Sequence, residues 1–238
     1  MPNDHTVKSY DQQLNLLTRK ICEMGGLVEQ QLASAIEALT GRDIELAARV
    51  IEHDDRVDDL EEEIDTLAIR VLATRQPMAV DLRLIAMAMK ISNDLERIGD
   101  YAVNIAKRIE RLARVPPVQS QYVIPRMAQI TQAMIKEVLD AYVARDAARA
   151  VAAWHRDDEV DAMYNSLFRE LSTYMLEDPR NISASIDLLF IAKNLERIGD
   201  HTTNVAEKIH YMVHGQRINR MPQPDAALAR AAARSSNP

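Results

Sequence analysis

Eight carboxylates, arranged as four pairs, are the residues of this chain best suited to chemistry. Glu96 and Asp100 stand four apart inside Leu95-Glu96-Arg97-Ile98-Gly99-Asp100, and the same letters return as Leu195-Glu196-Arg197-Ile198-Gly199-Asp200. Asp54 and Asp58 have that spacing, and so do Asp157 and Asp161. On a helix, residues i and i+4 lie one above the other, so each pair sets two carboxylates on one face. Like charges so placed repel by roughly a few tenths of a kcal/mol unless something positive lies between them. Their oxygens are hard ligands suited to magnesium, calcium, manganese or iron, and two such helices side by side offer four carboxylates. The competing use is a solvated helix face, the ordinary fate of charged side chains. Duplication weighs against it, because a repeated core requires apolar letters to recur and makes no such demand on acids. An acidic face that docks a basic protein surface with no metal is the remaining alternative.

Beside the acids stand residues with secondary roles. Gly99 and Gly199 each cost about 1 kcal/mol against alanine in mid-helix, and their recurrence points to close approach of another helix. Arg97 and Arg197 either neutralise neighbouring acids or meet an anion or partner. His53 and His201 adjoin the acid motifs and His155 closely precedes one, but lone histidines at such places are surface or packing residues and are not taken as ligands. Met78, Met87 and Met89 are read as core fillers. A carboxylate-bridged iron oxidase needs two Glu-x-x-His elements on separate helices; only Glu207-Lys208-Ile209-His210 fits, and its first-half counterpart begins with Lys107. Glycine-rich phosphate loops, nucleophile elbows and Cys/His zinc spacings do not occur, and Cys22 reads as a buried thiol.

The elements that must hold these acids are helices. Aromatics make up only 4% of the chain, six glycines leave little room for tight hairpins, and a hydrophobic share of 47% supplies ample core. A net charge of -7 disfavours nucleic acid, and the single Cys22 fits a reducing compartment. The start, Met1-Pro2-Asn3-Asp4-His5, lacks a signal pattern and no window resembles a membrane span, so a cytoplasmic soluble protein is expected.

Apolar residues at steps of three and four (Leu14, Leu17, Ile21, Met24) predict a first helix from about Lys8 to Leu39, ended by Gly41, with Gly25 and Gly26 marking either a bend or close packing. Asp43 caps a second helix to about Thr74, on which Asp54, Asp58, Glu61 and Asp65 form an acidic ridge beside the apolar stripe. Gln76-Pro77 stops it. The third runs from Val80 to Arg114, with Glu96 and Asp100 expected almost opposite its stripe, facing away from the core of their own bundle. Val115-Pro116-Pro117 breaks the chain. A fourth helix spans Gln121 to Ala144, a fifth follows the Asp146 cap to Leu176 with Trp154 inward, and a sixth covers Ser183 to Val213. The fold class is therefore all-α: two tandem three-helix bundles over residues 8–114 and 118–214, then a mobile tail over 215–238 in which Asp225 caps a short helix through Ala233.

The two tandem repeats, the Glu-x-x-x-Asp pair in each third helix, the Asp-x-x-x-Asp pair in each second helix, and Gln76-Pro77-Met78-Ala79-Val80-Asp81-Leu82-Arg83 together resemble the PhoU family of bacterial phosphate-signalling regulators, over about Ser9 to Val213. The resemblance implies a cytoplasmic, non-enzymatic regulator of phosphate uptake and negative regulator of the phosphate-starvation response. In that family the protein couples the phosphate ABC transporter, through its ATPase subunit, to a membrane-bound sensor histidine kinase. The resemblance also implies a homodimer, with no nucleic acid and no membrane insertion beyond peripheral association through partners. It carries metal binding onto Asp54 and Asp58, Glu96 and Asp100, Asp157 and Asp161, Glu196 and Asp200, with magnesium, manganese, iron or zinc as the metal. Asp94 against Asn194 and Lys107 against Glu207 would make the two sites unequal.

Overall fold

Capping and apolar periodicity decide where the helices start and stop. The computed structural model describes residues 3–118 and 123–218. In chain order these form α1 (Asn3–Gly41), α2 (Ile44–Glu52), α3 (Asp55–Arg75), α4 (Val80–Ala113), α5 (Val123–Ala144), α6 (Ala147–Trp154), α7 (Asp157–Glu177) and α8 (Ile182–His214), with a short 3-10 turn at Pro179–Asn181. Among the described residues there is no strand. Asp43 accepts a hydrogen bond from the Leu46 N–H at 2.9 Å, and Asp146 from the Arg149 N–H at 3.0 Å, so both expected caps form. Before each cap a left-handed arginine, Arg42 (φ 55°) or Arg145 (φ 53°), turns the chain out of the preceding long helix.

The six long helices are as expected, but the second helix of each half is split. The His53 N–H closes α2 on the Arg49 carbonyl, and the Val57 N–H opens α3 on the Asp54 carbonyl at 2.8 Å. The His155 N–H likewise closes α6 on Val151, and Asp157 opens α7. Aspartate favours helix starts, and acids gain from the positive end of the helix dipole. Asp54 and Asp58, like Asp157 and Asp161, therefore occupy the opening turns of a helix instead of its middle.

Leu17, Ile21, Leu60, Ile64, Leu95 and Ile98 are buried in the core of the first half, and Leu167, Ile191, Leu195 and Ile209 repeat the arrangement in the second. Trp154 packs half-buried at the margin of that core. The halves meet along α4 and α8, which run antiparallel: Arg83 at the start of α4 lies against Gly215 just past α8, and Arg108 near the end of α4 meets Asp187 near the start of α8. Two buried carboxylates tie this seam. Asp94 pairs with Lys208 and with His201 Nδ1 at 3.1 Å, and Asp187 pairs with Arg111 and with Arg108 at 3.3 Å. Elsewhere α1 packs on α5, where Gly25 makes room for the Leu139 side chain, so this glycine serves close packing within a helix that continues through it. Gly215, with φ 70°, ends α8 in the left-handed region. The short helix expected from Asp225 lies outside the described residues.

Candidate functional site

The acids of each half gather where one helix start crosses a glycine of the next helix. A Cβ on Gly99 would lie 3.1 Å from Gln31 Oε1, 3.5 Å from Val57 Cγ1 and 3.7 Å from Asp54 Oδ1. On Gly199 a Cβ would overlap Asp157 Oδ1. At Gly199 the Asp157 carboxylate of the facing helix occupies the place of a side chain, and at Gly99 the tight neighbour is the Gln31 amide, with the α3 start in ordinary contact behind it. This crossing brings Asp54 and Asp58 of the α3 start to Glu96 and Asp100 of α4, and Asp157 and Asp161 of α7 to Glu196 and Asp200 of α8.

Glu96 and Asp100 do not face away from their own bundle. The side chains of Glu96 and Glu196 are only 16% and 14% exposed, and Glu96 looks toward Asp58 and Glu61 of α3. The reason is that the start of α3 lies against α4 at Gly99, so the flank of α4 that carries Glu96 is covered by the acidic turn of its own bundle. Burial, followed by the Asp100 charge, pushes the Glu96 carboxyl up to about 7 against the opposing pull of Arg97. Burial, with Asp161, Asp200, Glu196 and Asp158 adding to it, pushes Asp157 up to about 7. Asp54, Asp58 and Asp161 are raised too, chiefly by burial. In each of these groups a carboxylate from the facing helix contributes, Asp100 for Asp54 and Asp58 and Asp200 for Asp161.

Compensation is partial. Arg97 reaches Asp100 Oδ2 at 3.2 Å and lies 3.3 Å from Glu96 Oε2 without hydrogen-bond geometry, and Lys193 pairs with Glu196. Arg197 instead lies over the Tyr101 ring, 5.7 Å from its centroid. Glu96 Oε2 and Asp157 Oδ1 are buried with no hydrogen-bond donor, whereas Glu196 Oε2 lies against the Lys193 ammonium. The donor set fits a hard cation: oxygen only, anionic, partly desolvated and short of positive partners. As they lie, no three His, Cys, Asp or Glu groups close on one point among the described residues. Both pairs of each cluster rise from helices that touch at Gly99 and Gly199.

Several candidates go elsewhere. Asp94 spends its charge on Lys208 and His201 across the seam, so its difference from Asn194 is a matter of how the halves join. His53 turns its Nδ1 to the Arg49 carbonyl at 2.6 Å, and His155 packs edge-on to Trp154. His210 turns its Nδ1 to the Gln216 carbonyl at 3.0 Å and its ring lies 4.7 Å from that of His214. Cys22 is half-buried, and burial raises its thiol. Gln31 of α1 is the residue that sequence reasoning passed over: it is 7% exposed and donates from Nε2 to Asp54 Oδ1 at 3.3 Å. Its signal was a polar letter one turn from Val28 on the buried arc of α1, where its repeat counterpart is Met134.

A duplicated helical scaffold with acids gathered at the same crossing in each half defines a class: all-α tandem-repeat proteins with a carboxylate cluster in each repeat. The chain belongs to the PhoU family, whose PhoU domain matches residues 21–109 and 124–209. It is 50% identical, over 90% of its length and 94% of the relative's, to the phosphate-specific transport system accessory protein PhoU homolog of Caulobacter vibrioides. Identity to the homolog of that name from Zymomonas mobilis is 49%, over 90% of each chain. The fold is similar to the crystal structure of PhoU from Pseudomonas aeruginosa, with TM-score 0.84 and 40% identity over 87% of this chain and 100% of that one. It is also similar to the phosphate transport system regulatory protein PhoU from Streptococcus pneumoniae, with TM-score 0.82 and 26% identity over 88% of this chain and 99% of that one. These are accessory and regulatory proteins, not enzymes. No helix among the described residues is long and apolar enough to cross a membrane.

Proposed function

We propose that this chain is an accessory regulator of phosphate-specific transport that works as a two-cluster, metal-loaded helical scaffold. The transport role is supported by the 50% identity to an accessory protein of that system. The metal role is carried by one observation: in both halves, acid pairs on crossing helices meet at a glycine and leave buried carboxylate oxygens without a donor. Asp54, Asp58, Glu96 and Asp100 would hold a divalent or trivalent ion of magnesium, manganese, iron or zinc in the first half, and Asp157, Asp161, Glu196 and Asp200 in the second. A bound cation supplies the positive charge that offsets carboxylate repulsion. The paired carboxylates then fasten the start of α3 to α4, and the start of α7 to α8, so the acidic faces keep a fixed shape.

That fixed surface, in our reading, is what a homodimer of this cytoplasmic protein offers to the ATPase subunit of the phosphate ABC transporter and to the sensor histidine kinase. It reaches the membrane only through those partners and holds the starvation response off when phosphate is plentiful. Elemental analysis of protein purified without chelator or metal-affinity steps tests the metal role. Alanine at Glu96, Asp100, Glu196 and Asp200 is expected to abolish bound metal with helicity retained, and unchanged metal content would sink the assignment. A second reading, metal-free docking of a basic protein surface on the same acids, is favoured by the absence of a closed ligand set among the described residues. The same analysis separates the two, since that reading predicts no metal in the unaltered protein.

A further inference from the structure

The two clusters differ in one buried residue. Asp43 and Asp146 are equivalent caps, and Asp54 and Asp157 are equivalent acids, so the position of Gln31 in the first half is that of Met134 in the second. Both side chains are buried, at 7% and 0% exposure. Val28 and Leu32 beside Gln31 are fully buried, so an amide here occupies a core position. Its Nε2 donates to Asp54 Oδ1, which leaves Oε1 buried with no donor of its own. That oxygen is aimed at the open face of Gly99, the residue that separates Glu96 from Asp100. Leaving a buried amide oxygen unpartnered is costly, so such an atom calls for an electropositive partner.

The second half shows the arrangement without an amide. There Asp157 Oδ1 presses directly on Gly199 and is itself buried without a donor, whereas Asp54 in the first half stands back and is held by Gln31. The first cluster thus has one more buried oxygen at its helix crossing, uncharged and beside Gly99. An amide oxygen is a hard ligand that adds to a coordination shell without adding to carboxylate repulsion.

We infer that Gln31 Oε1 is an additional ligand of the first acid cluster, making it the tighter of two inequivalent sites for a hard divalent cation, with Met134 leaving the second cluster one oxygen short. This rests on the metal reading given above, and the test keeps the two separable. Manganese(II) is titrated calorimetrically into the full chain after chelator treatment and dialysis, for the unaltered protein and for Gln31→Met, Gln31→Glu and Met134→Gln. The double variant Asp54→Ala/Asp58→Ala identifies the heat that belongs to the first cluster, and circular dichroism confirms the fold of each protein. Gln31→Met, which copies the other half, is expected to weaken the tighter site by about tenfold. Gln31→Glu keeps an oxygen ligand and should bind at least as tightly as the unaltered protein, while Met134→Gln should tighten the weaker site. Unchanged manganese binding in Gln31→Met overturns the inference. Equal weakening in Gln31→Met and Gln31→Glu also overturns it, by reducing Gln31 to a donor that positions Asp54. No manganese uptake by the unaltered protein overturns the metal reading itself, and this inference with it.

Discussion

Asp157→Asn changes one atom at the centre of the second cluster and should stabilise the metal-free protein in a pH-dependent way. Asp157 Oδ1 is buried without a donor, and its surroundings raise the carboxyl from the ordinary 3.8 to about 7. The folded chain therefore binds this proton more tightly than the unfolded chain. The cost of the charge is absent below about pH 4, grows as pH rises from 4 to 7, and is fully present above 7. Were the group wholly shielded, the rise from 3.8 to about 7 would correspond to roughly 4 kcal/mol. Solvent reaches part of the side chain and screens the neighbouring acids, which brings the expected effect down to about 1–2 kcal/mol. Urea unfolding of chelator-treated protein at a series of pH values measures it. At pH 8 the asparagine variant should be the more stable by that amount, and its advantage should shrink steadily as pH falls toward 4. A variant that is less stable at pH 8, or whose advantage does not change with pH, refutes the reasoning.

Two further substitutions probe the frame. Gly199→Ala gains about 1 kcal/mol of helix propensity, but its Cβ evicts the Asp157 carboxylate; urea unfolding across the same pH series should show the steep loss of stability toward pH 8 flattened. Gly99→Ala, with more room before Asp54, should alter that profile less, and a larger effect at Gly99 would contradict the geometry. Asp94→Asn places at the seam the residue its repeat carries at Asn194, and removes the charge opposite Lys208 and His201. It should cost about 1–3 kcal/mol in urea unfolding, with little dependence on salt because Asp94 is buried, and a neutral result would show that the seam does not need the pair.

Much of the frame was legible because it repeats. The Leu-Glu-Arg-Ile-Gly-Asp string, the aspartates that cap α2 and α6, and the proline stop before α4 each act through local backbone chemistry that a single sequence displays. The breaks before Asp54 and Asp157 were not legible, since the apolar stripe runs from Val50 to Val57 at a spacing that an unbroken helix would also satisfy. The facing of Glu96 was misjudged because an apolar stripe does not show how closely a neighbouring helix approaches its flank, and the start of α3 comes in against Gly99 beside it. Asp94 and Asp187 look alike any surface acid in the string of letters, and only the antiparallel seam gives them their cationic partners. Gln31 was hidden for the same reason: its role depends on which residue faces it across a gap between helices.

The account stands on the acid clusters gripping cations. Diffraction from crystals grown with manganese, recorded on both sides of the manganese absorption edge, tests that most directly. The account predicts anomalous density between the α3 start and α4, within reach of Asp54, Asp58, Glu96 and Asp100, and a second feature between the α7 start and α8, beside Asp157, Asp161, Glu196 and Asp200. Well-diffracting crystals with no anomalous density at either crossing would contradict it.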